Sequence, residues 1–387
     1  MYVLIIARGY PSETYKMNGI FEFDQARALK EAGMKVVLAA VDTRSLRRRR
    51  KMGWEKQVLQ GIPTYVLNVP LGRIPKKLRG RIKAFGLKKL FSRTLKAEGR
   101  PDLIHAHFIS NGFTAAEALK TAGIPLVLTE HFRGMNQQPI SPYYRALGAA
   151  TYPRMDRVLA VSEALAENIR AEFQVDVQVV PNVVDLTTFS PNSAKAQRAW
   201  DPAGFRFVSA GGLTAVKRMD LLIEAFHRAF SSEPSVTLAI FGAGPMQKQL
   251  EDQIHELDLQ DRVALRGLVS RSELAQSYRE SDAFVLASRT ETFGLAYIEA
   301  MAAGLPVIAT RSGGPDEFVT RERGILVPVD ETGELAEAMR AMRGRSSQYD
   351  RAWIADSVQA DYSGRAVSGT LQAIYQEVLA EHTASRR

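Results

Sequence analysis

The chain has 387 residues, 45% of them hydrophobic and 24% charged, with 51 Lys and Arg against 42 Asp and Glu and a net charge of +9. That length exceeds what a single hydrophobic core usually serves, so two domains are expected. With no cysteine in the sequence, a disulfide scaffold, thiolate catalysis and cysteine-ligated zinc or iron–sulfur centres are excluded.

The first segment, Met1 to Gly9, is a short apolar run without a basic leader or a small-residue cleavage site, which predicts a strand and not a signal peptide. No stretch is long and apolar enough for a spanning helix, so the expected location is cytoplasmic. Asn18-Gly19-Ile20 then forms a turn into an amphipathic helix, Phe21 to Ala32. Further strands are predicted at Lys35 to Ala40, Leu103 to Ala106, Pro125 to Thr129, Arg157 to Val161 and Val177 to Val180. A second series follows at Arg206 to Ala210, Thr237 to Phe241, Val263 to Arg266, Ala283 to Ala287, Pro306 to Ala309 and Gly324 to Val327. Strands alternating with helical stretches predict doubly wound parallel sheets. The break falls between Pro181 and Pro202, where Pro181-Asn182-Val183-Val184-Asp185 and Phe189-Ser190-Pro191 suit a hinge. Gly9, His131, Ser162, Gly211, Gly242, Glu291 and Ser312 all follow carboxyl ends of predicted strands, where open parallel sheets bind ligands. Two such edges facing each other would make a cleft.

Positive charge is concentrated. Residues 44–51 hold six basic groups, and residues 73–100 hold eleven against one acidic. Within 87–96, helical spacing puts Leu87, Leu90, Phe91, Thr94 and Leu95 on one face and Lys88, Lys89, Arg93 and Lys96 on the other, with Gly86 expected to break or bend the segment. A stripe packed on the core beneath solvated lysines explains the pattern as well as docking on a surface does. The charge bias favours an anionic membrane surface, and no recognition motif for nucleic acid accompanies it.

Several loops carry candidate chemistry. Gly211-Gly212-Leu213-Thr214-Ala215-Val216-Lys217-Arg218 leaves a strand and enters a helix; glycines admit a ligand close to the backbone, and Lys217 could neutralise a diphosphate. Gly242-Ala243-Gly244-Pro245 lacks the three-glycine dinucleotide fingerprint, which argues against a dehydrogenase. His131 stands at a strand end, and a lone histidine there is more often structural. His105 and His107 alternate along one strand and share a face, a geometry open to metal; a structural role is preferred. The most informative stretch is Ser288 to Gly304. Glu291 and Glu299 stand eight residues apart around a predicted helix N-terminus, about 12 Å if the interval is helical. Amides of Thr292 to Leu295 lie between them, including Phe293 and Gly294, and free N–H groups with the helix dipole favour an anion. An electrostatic cap and a surface carboxylate is the plainer alternative, weakened by the apolar neighbours of Glu299.

The Glu-x7-Glu pattern, set between Asp282-Ala283-Phe284-Val285-Leu286-Ala287-Ser288 and Gly313-Gly314-Pro315-Asp316-Glu317, resembles the retaining glycosyltransferases of family 4 (glycosyl transferases group 1). The resemblance spans most of the chain. It implies the GT-B fold, two facing Rossmann-like domains with an interdomain cleft: residues 1–185 binding the acceptor, residues 186–364 binding the nucleotide sugar, and a terminal helix, 365–387, crossing back onto the first. It implies no metal and no other cofactor, and no Asp-x-Asp pair occurs in the sequence. The donor would be a nucleotide diphosphate sugar, UDP-linked by a small margin over GDP-mannose, and the acceptor a glycan or lipid-linked hydroxyl in cell-envelope polysaccharide or glycolipid synthesis. Catalytic roles fall to His131, Glu291 and Lys217. Donor contacts fall to Gly19, Gly211, Gly212, Lys217, Arg218, Leu268, Val269, Phe293, Gly294, Leu295 and Glu299, with Leu268 and Val269 on the base and Glu299 on the ribose. The pattern departs from the family where an arginine should precede Leu213: Gly212 stands there, and Arg218 is the candidate replacement. Partner expectations are the donor, the acceptor and an anionic inner face of the cytoplasmic membrane through residues 44–51 and 73–100. A nucleotide-sugar epimerase and a non-catalytic nucleotide-sugar or lipid-binding protein are the rival readings.

Overall fold

The computed structural model describes residues 1–12, 15, 18–43, 52–72, 74–119, 121–137, 139–191 and 204–385. The basic run 44–51, Arg73 and Pro202 lie outside the described residues. The chain forms two compact units, Met1–Val183 together with Gly364–Arg387, and Val184–Ser363.

The first unit is built on eight strands: β1 (Tyr2–Ala7), β2 (Lys35–Asp42), β3 (Gly53–Leu59), β4 (Ile62–Asn68), β5 (Leu103–His107), β6 (Leu126–Glu130), β7 (Arg157–Ala160) and β8 (Gln178–Val179). Their order in the sheet is β3-β4-β2-β1-β5-β6-β7-β8, parallel except for the antiparallel edge strand β3. Central strands are buried along their whole length, as parallel strands covered by helices on both faces must be. Val3, Ile5, Leu38 and Val127 share a core cluster with Val367, Leu371, Ile374, Tyr375 and Val378 of the terminal helix Gly364–Ala384.

Two expectations fail in this unit. The β3–β4 hairpin was not foreseen: β3 alternates between half-buried and exposed residues, and its two-residue turn uses Gln60 and Gly61 at φ 47° and 74°, the left-handed geometry that suits a twisted hairpin. Gly86 does not interrupt the basic segment, which is one helix, Lys76–Glu98. A Cβ at Gly86 would stand 3.0 Å from Leu67 and 3.2 Å from Val41, so the glycine marks close packing of the helix on the sheet. Leu87, Leu90 and Thr94 face inward, whereas Leu95, expected beside them, is exposed.

The second unit holds β9 (Phe205–Ala210), β10 (Val236–Phe241), β11 (Val263–Gly267), β12 (Ala283–Leu286), β13 (Val307–Thr310) and β14 (Gly324–Val327), all parallel in the order β11-β10-β9-β12-β13-β14. Both sheets reverse their winding direction once. In the first the chain runs outward from β1 to one side and from β5 to the other, and in the second from β9 and from β12. At such switch points the two outgoing loops diverge and leave a crevice at the carboxyl edge. The loops after β9 and β12 and those after β1 and β5 are therefore the positions where chemistry should be sought.

Candidate active site

In the second unit the switch point is closed by an ion pair. Lys217, in the loop after β9, places Nζ 2.5 Å from Glu291 Oε1, in the loop after β12. The same carboxylate oxygen accepts from Ser288 Oγ at 2.6 Å, and Glu291 is buried. Backbone bonds hold both loops: Arg289 N donates to Val216 O at 2.8 Å, Glu291 N to Ser312 O at 2.9 Å and Gly314 N to Glu291 O at 3.1 Å. The neighbouring loop supports the first from below. A Cβ at Gly242 would lie 1.8 Å from Gly211 O, and one at Gly244 2.2 Å from Leu213 O, so both must be glycine for the loops to touch. Gly211 and Gly212 are different, since a Cβ there would meet nothing closer than 3.5 Å and 3.9 Å.

Three residues beyond Glu291, Gly294 at φ 95° turns the chain into the helix Leu295–Ala302, whose first-turn amides point back toward this pair of loops. Phe293 is buried and Leu295 half-buried. Only part of the interval from Glu291 to Glu299 is helical, so the 12 Å estimate from helical rise does not hold. Glu299 is buried on that helix and pairs with Arg271, whose Nη2 lies 3.7 Å from Glu299 Oε1 and whose Nη1 lies 4.0 Å from Asp185 Oδ2. Arg218 adopts φ 48°, and its guanidinium is taken by Asp220 at 3.2 Å and by Asp330, leaving Lys217 as the cation of this loop that faces Glu291. Leu268 and Val269 follow β11, where Gly242 N donates to Gly267 O at 2.8 Å, and Leu268 is 78% exposed.

In the first unit, Arg8 follows β1 and Phe108 follows β5, and the guanidinium sits 3.5 Å over the ring across that switch point. Glu22, fully buried, holds Arg8 Nε at 3.1 Å. Phe108 has φ 68°, a strained conformation for an aromatic residue, and its ring lies against both Arg8 and, at 4.8 Å, His131. His131 continues into a column of rings, 5.1 Å to His107 and 4.6 Å from there to His105. Hydrogen bonds tie the column: His131 Nε2 to His107 Nδ1 at 2.9 Å, His105 Nε2 to Thr129 Oγ1 at 2.7 Å, and His105 Nδ1 to the Tyr375 hydroxyl at 2.6 Å. Desolvation pushes all three imidazoles well below the usual range; after it come His131 and Arg8 for His107, and Arg8 and His105 for His131.

Glu130 fixes the turn that carries His131. It accepts from the amides of His131 and Phe132 at 2.9 Å each, from Ile109 N at 3.1 Å and from the Tyr152 hydroxyl at 3.2 Å. Burial nevertheless pushes its carboxyl up to about 7. Above this turn opens a cavity of about 440 Å³ whose lining includes Arg8, Phe108, His131, Arg133 and Tyr144. Gly19, at φ 69°, packs against the Gly9 carbonyl, which a Cβ would approach to 2.3 Å.

Glu291, Lys217 and the start of the helix Leu295–Ala302 are thus brought together, with Gly211 and Gly212 on the same edge. Glu299 lies further along that helix, with Arg271. His131 and Gly19 belong to the first unit. Sequence reasoning missed Arg271, Ser288, Arg8, Gln25 and Glu130. Of these only Glu130 had a local signal, a carboxylate closing the apolar strand Leu126–Glu130.

The family profile described as "Glycosyltransferase Family 4" matches residues 23–188, and "Glycosyl transferases group 1" matches residues 192–352. A D-inositol 3-phosphate glycosyltransferase of Pseudarthrobacter chlorophenolicus is 28% identical over 81% of this chain and 80% of its own. Among solved structures, a sucrose-phosphate synthase from Thermosynechococcus elongatus superposes with a TM-score of 0.79 at 22% identity, covering 98% of this chain and 100% of that one. Anabaena Alr3699/HepE, solved in complex with UDP and glucose, gives 0.72 at 20% identity, covering 97% and 100%. At those identities the likeness is one of fold.

The buried titrating groups predict a pH response. Unfolding returns the three histidines to the ordinary imidazole value of 6.5, so below it the unfolded chain gains protons that the fold refuses. Glu130 opposes this, since its protonated form is favoured in the fold between 4.5 and about 7. Three groups against one leave a net uptake of about two protons on unfolding at pH 5.5, a loss of roughly 2 to 3 kcal/mol per pH unit. Urea denaturation of the first unit at pH 7.5, 6.0 and 5.5 should show falling stability; a flat profile would contradict the neutral column.

Proposed function

We propose that this chain, which belongs to glycosyltransferase family 4 and has the GT-B fold, moves a sugar from a nucleotide diphosphate donor to an acceptor hydroxyl with retention at the anomeric carbon. The observation that carries the reading is the Lys217–Glu291 pair at the second unit's switch point, beside the first-turn amides of the helix Leu295–Ala302. A diphosphate leaving group needs positive charge placed where its own charge develops. Lys217 and the amides of Phe293, Gly294 and Leu295 supply it, and the room at Gly211 and Gly212 lets phosphate oxygens reach the backbone. Arg218 supports this loop through Asp220 and Asp330.

Glu299, oriented by Arg271, accepts from the ribose hydroxyls, and exposed Leu268 with Val269 covers the base. Glu291 accepts from the sugar hydroxyls, and Gly19 and His131 serve the donor from the first unit. In the chemical step the bond between the anomeric carbon and the diphosphate oxygen breaks, the acceptor oxygen bonds to that carbon on the same face, and its proton passes to the departing phosphate. The cavity beside His131 receives the acceptor. Arg8 and Arg133 on its lining favour an acceptor bearing a phosphate or carboxylate, in keeping with the inositol phosphate in the name of the Pseudarthrobacter relative. UDP-sugar is favoured over GDP-mannose, supported by the UDP in the HepE structure.

Among the described residues no helix is long and apolar enough to cross a membrane. The helix Lys76–Glu98 instead exposes Leu78, Phe85 and Leu95 among Arg81, Lys88, Lys89, Arg93 and Lys96, and Phe85 is 67% exposed. Arg93 lies 4.1 Å over Trp54, extending the surface onto β3. Cationic side chains around outward apolar ones suit an anionic lipid surface, at about 1 kcal/mol per basic group.

Two outcomes follow. In a panel of UDP-, GDP- and ADP-sugars, one base should support transfer with release of free nucleotide, and Glu299→Gln should raise the donor KM about tenfold, through lost ribose contacts; conversion of the donor sugar without nucleotide release would identify an epimerase. Cosedimentation with vesicles containing phosphatidylglycerol should fall when Lys88, Lys89 and Phe85 are replaced by Ser, while neutral vesicles bind neither protein; undiminished binding would remove this helix as the docking face.

A further inference from the structure

The histidine column has its hydrogen-bond directions set at one residue. Gln25, on the helix Ile20–Glu31, presents its amide nitrogen to two imidazoles at once, 3.2 Å from His105 Nδ1 and 3.4 Å from His107 Nε2. An amide NH2 donates and has no lone pair to give, so both ring nitrogens must accept. A neutral imidazole carries a single N–H. His105 is then protonated at Nε2 and donates to Thr129 Oγ1 at 2.7 Å, while the Tyr375 hydroxyl, 2.6 Å from Nδ1, donates to the same accepting nitrogen as Gln25.

His107 must carry its proton on Nδ1, which donates to His131 Nε2 at 2.9 Å. His131 accepts there, and its own proton is left on Nδ1. That atom is buried without a hydrogen-bond partner of regular geometry, and the Asn182 side chain acts on the ring as a group that favours its protonated form. Desolvation holds all three rings neutral near pH 7, so the column selects a tautomer and not a charge.

We propose that Gln25 is a positioning residue that, through His107, fixes His131 as the Nδ1–H tautomer and so holds in one orientation the ring that lines the cavity. That this orientation serves transfer rests on the sugar contact assigned to His131 above; the tautomer does not. The physical requirement is general: which imidazole nitrogen keeps the proton follows from the bond made by the other. Tyr375 and Thr129 close the far end of the chain of bonds, so the terminal helix Gly364–Ala384 takes part in fixing His105.

The test reads tautomers directly. In the full chain labelled with 15N-histidine, with His131 assigned by the signals lost in His131→Asn, Nδ1 of His131 should be of the protonated, pyrrole type and Nε2 of the pyridine type. Gln25→Glu exchanges the donor for an acceptor of nearly the same shape and should invert His107 and His131, whereas Gln25→Met, which removes the polar group and keeps the volume, should leave a mixture. The inverted form should lose transfer kcat by about tenfold or more, the cost expected of a wrong tautomer, while binding of the nucleoside diphosphate, a property of the second unit, changes less than about twofold. An Nε2-protonated His131 in the unaltered protein, or a Gln25→Glu protein with unchanged tautomers, would overturn the proposal. Inversion with unchanged transfer would instead overturn the sugar contact of His131 and leave the control by Gln25 standing.

Discussion

The second unit joins Lys217 and Glu291 as an ion pair at the place where its sheet reverses direction. Burying an ion pair costs more in desolvation than it returns unless the remaining lone pairs are satisfied. Ser288 Oγ adds a second donor to the carboxylate oxygen that Lys217 Nζ reaches, and backbone hydrogen bonds tie the loops after β12 and β13 together. Glycines then decide how near the loops can come. Gly242 and Gly244 are forced by contacts inside the protein, whereas Gly211 and Gly212 are not, so the open side of this edge is the side free for a ligand.

The first unit uses the same topological device with different chemistry. Arg8 over Phe108 spans its switch point, and the column from His105 to His131 stands on β5 and the end of β6. Here burial favours the neutral forms: it pushes the three imidazoles well below their usual range and the Glu130 carboxyl up to about 7.

Much of the fold was legible because both sheets are largely parallel and covered, and their strands read as continuous apolar runs from Tyr2–Ala7 to Gly324–Val327. The β3–β4 hairpin was not, since Trp54 to Val58 alternate as an edge strand and look like polar connection. Gly86 misled for a related reason: a glycine in a helix has the same letter whether it bends the chain or lies flat against Val41 and Leu67. In the site, residues fixed by their own loop were visible, namely Lys217, Glu291, Glu299 and His131. Residues that act from another element were not. Arg271 is distant in sequence from Glu299, and Gln25 reads as one polar position on an amphipathic helix until β5 is placed beside it.

The central claim is that Lys217 is the diphosphate's cation and that Glu291, its partner in the structure, competes with the diphosphate for it while itself serving the sugar. Calorimetric titration of UDP, with GDP in parallel, into the unaltered protein, Lys217→Met and Glu291→Gln tests it most directly. The account predicts that Lys217→Met weakens nucleotide binding by about tenfold or more, the worth of one charge-assisted contact. Glu291→Gln should bind at least as tightly as the unaltered protein, because a competing carboxylate is gone from beside the lysine. Unchanged binding in Lys217→Met, or an equal loss in both variants, would contradict the account.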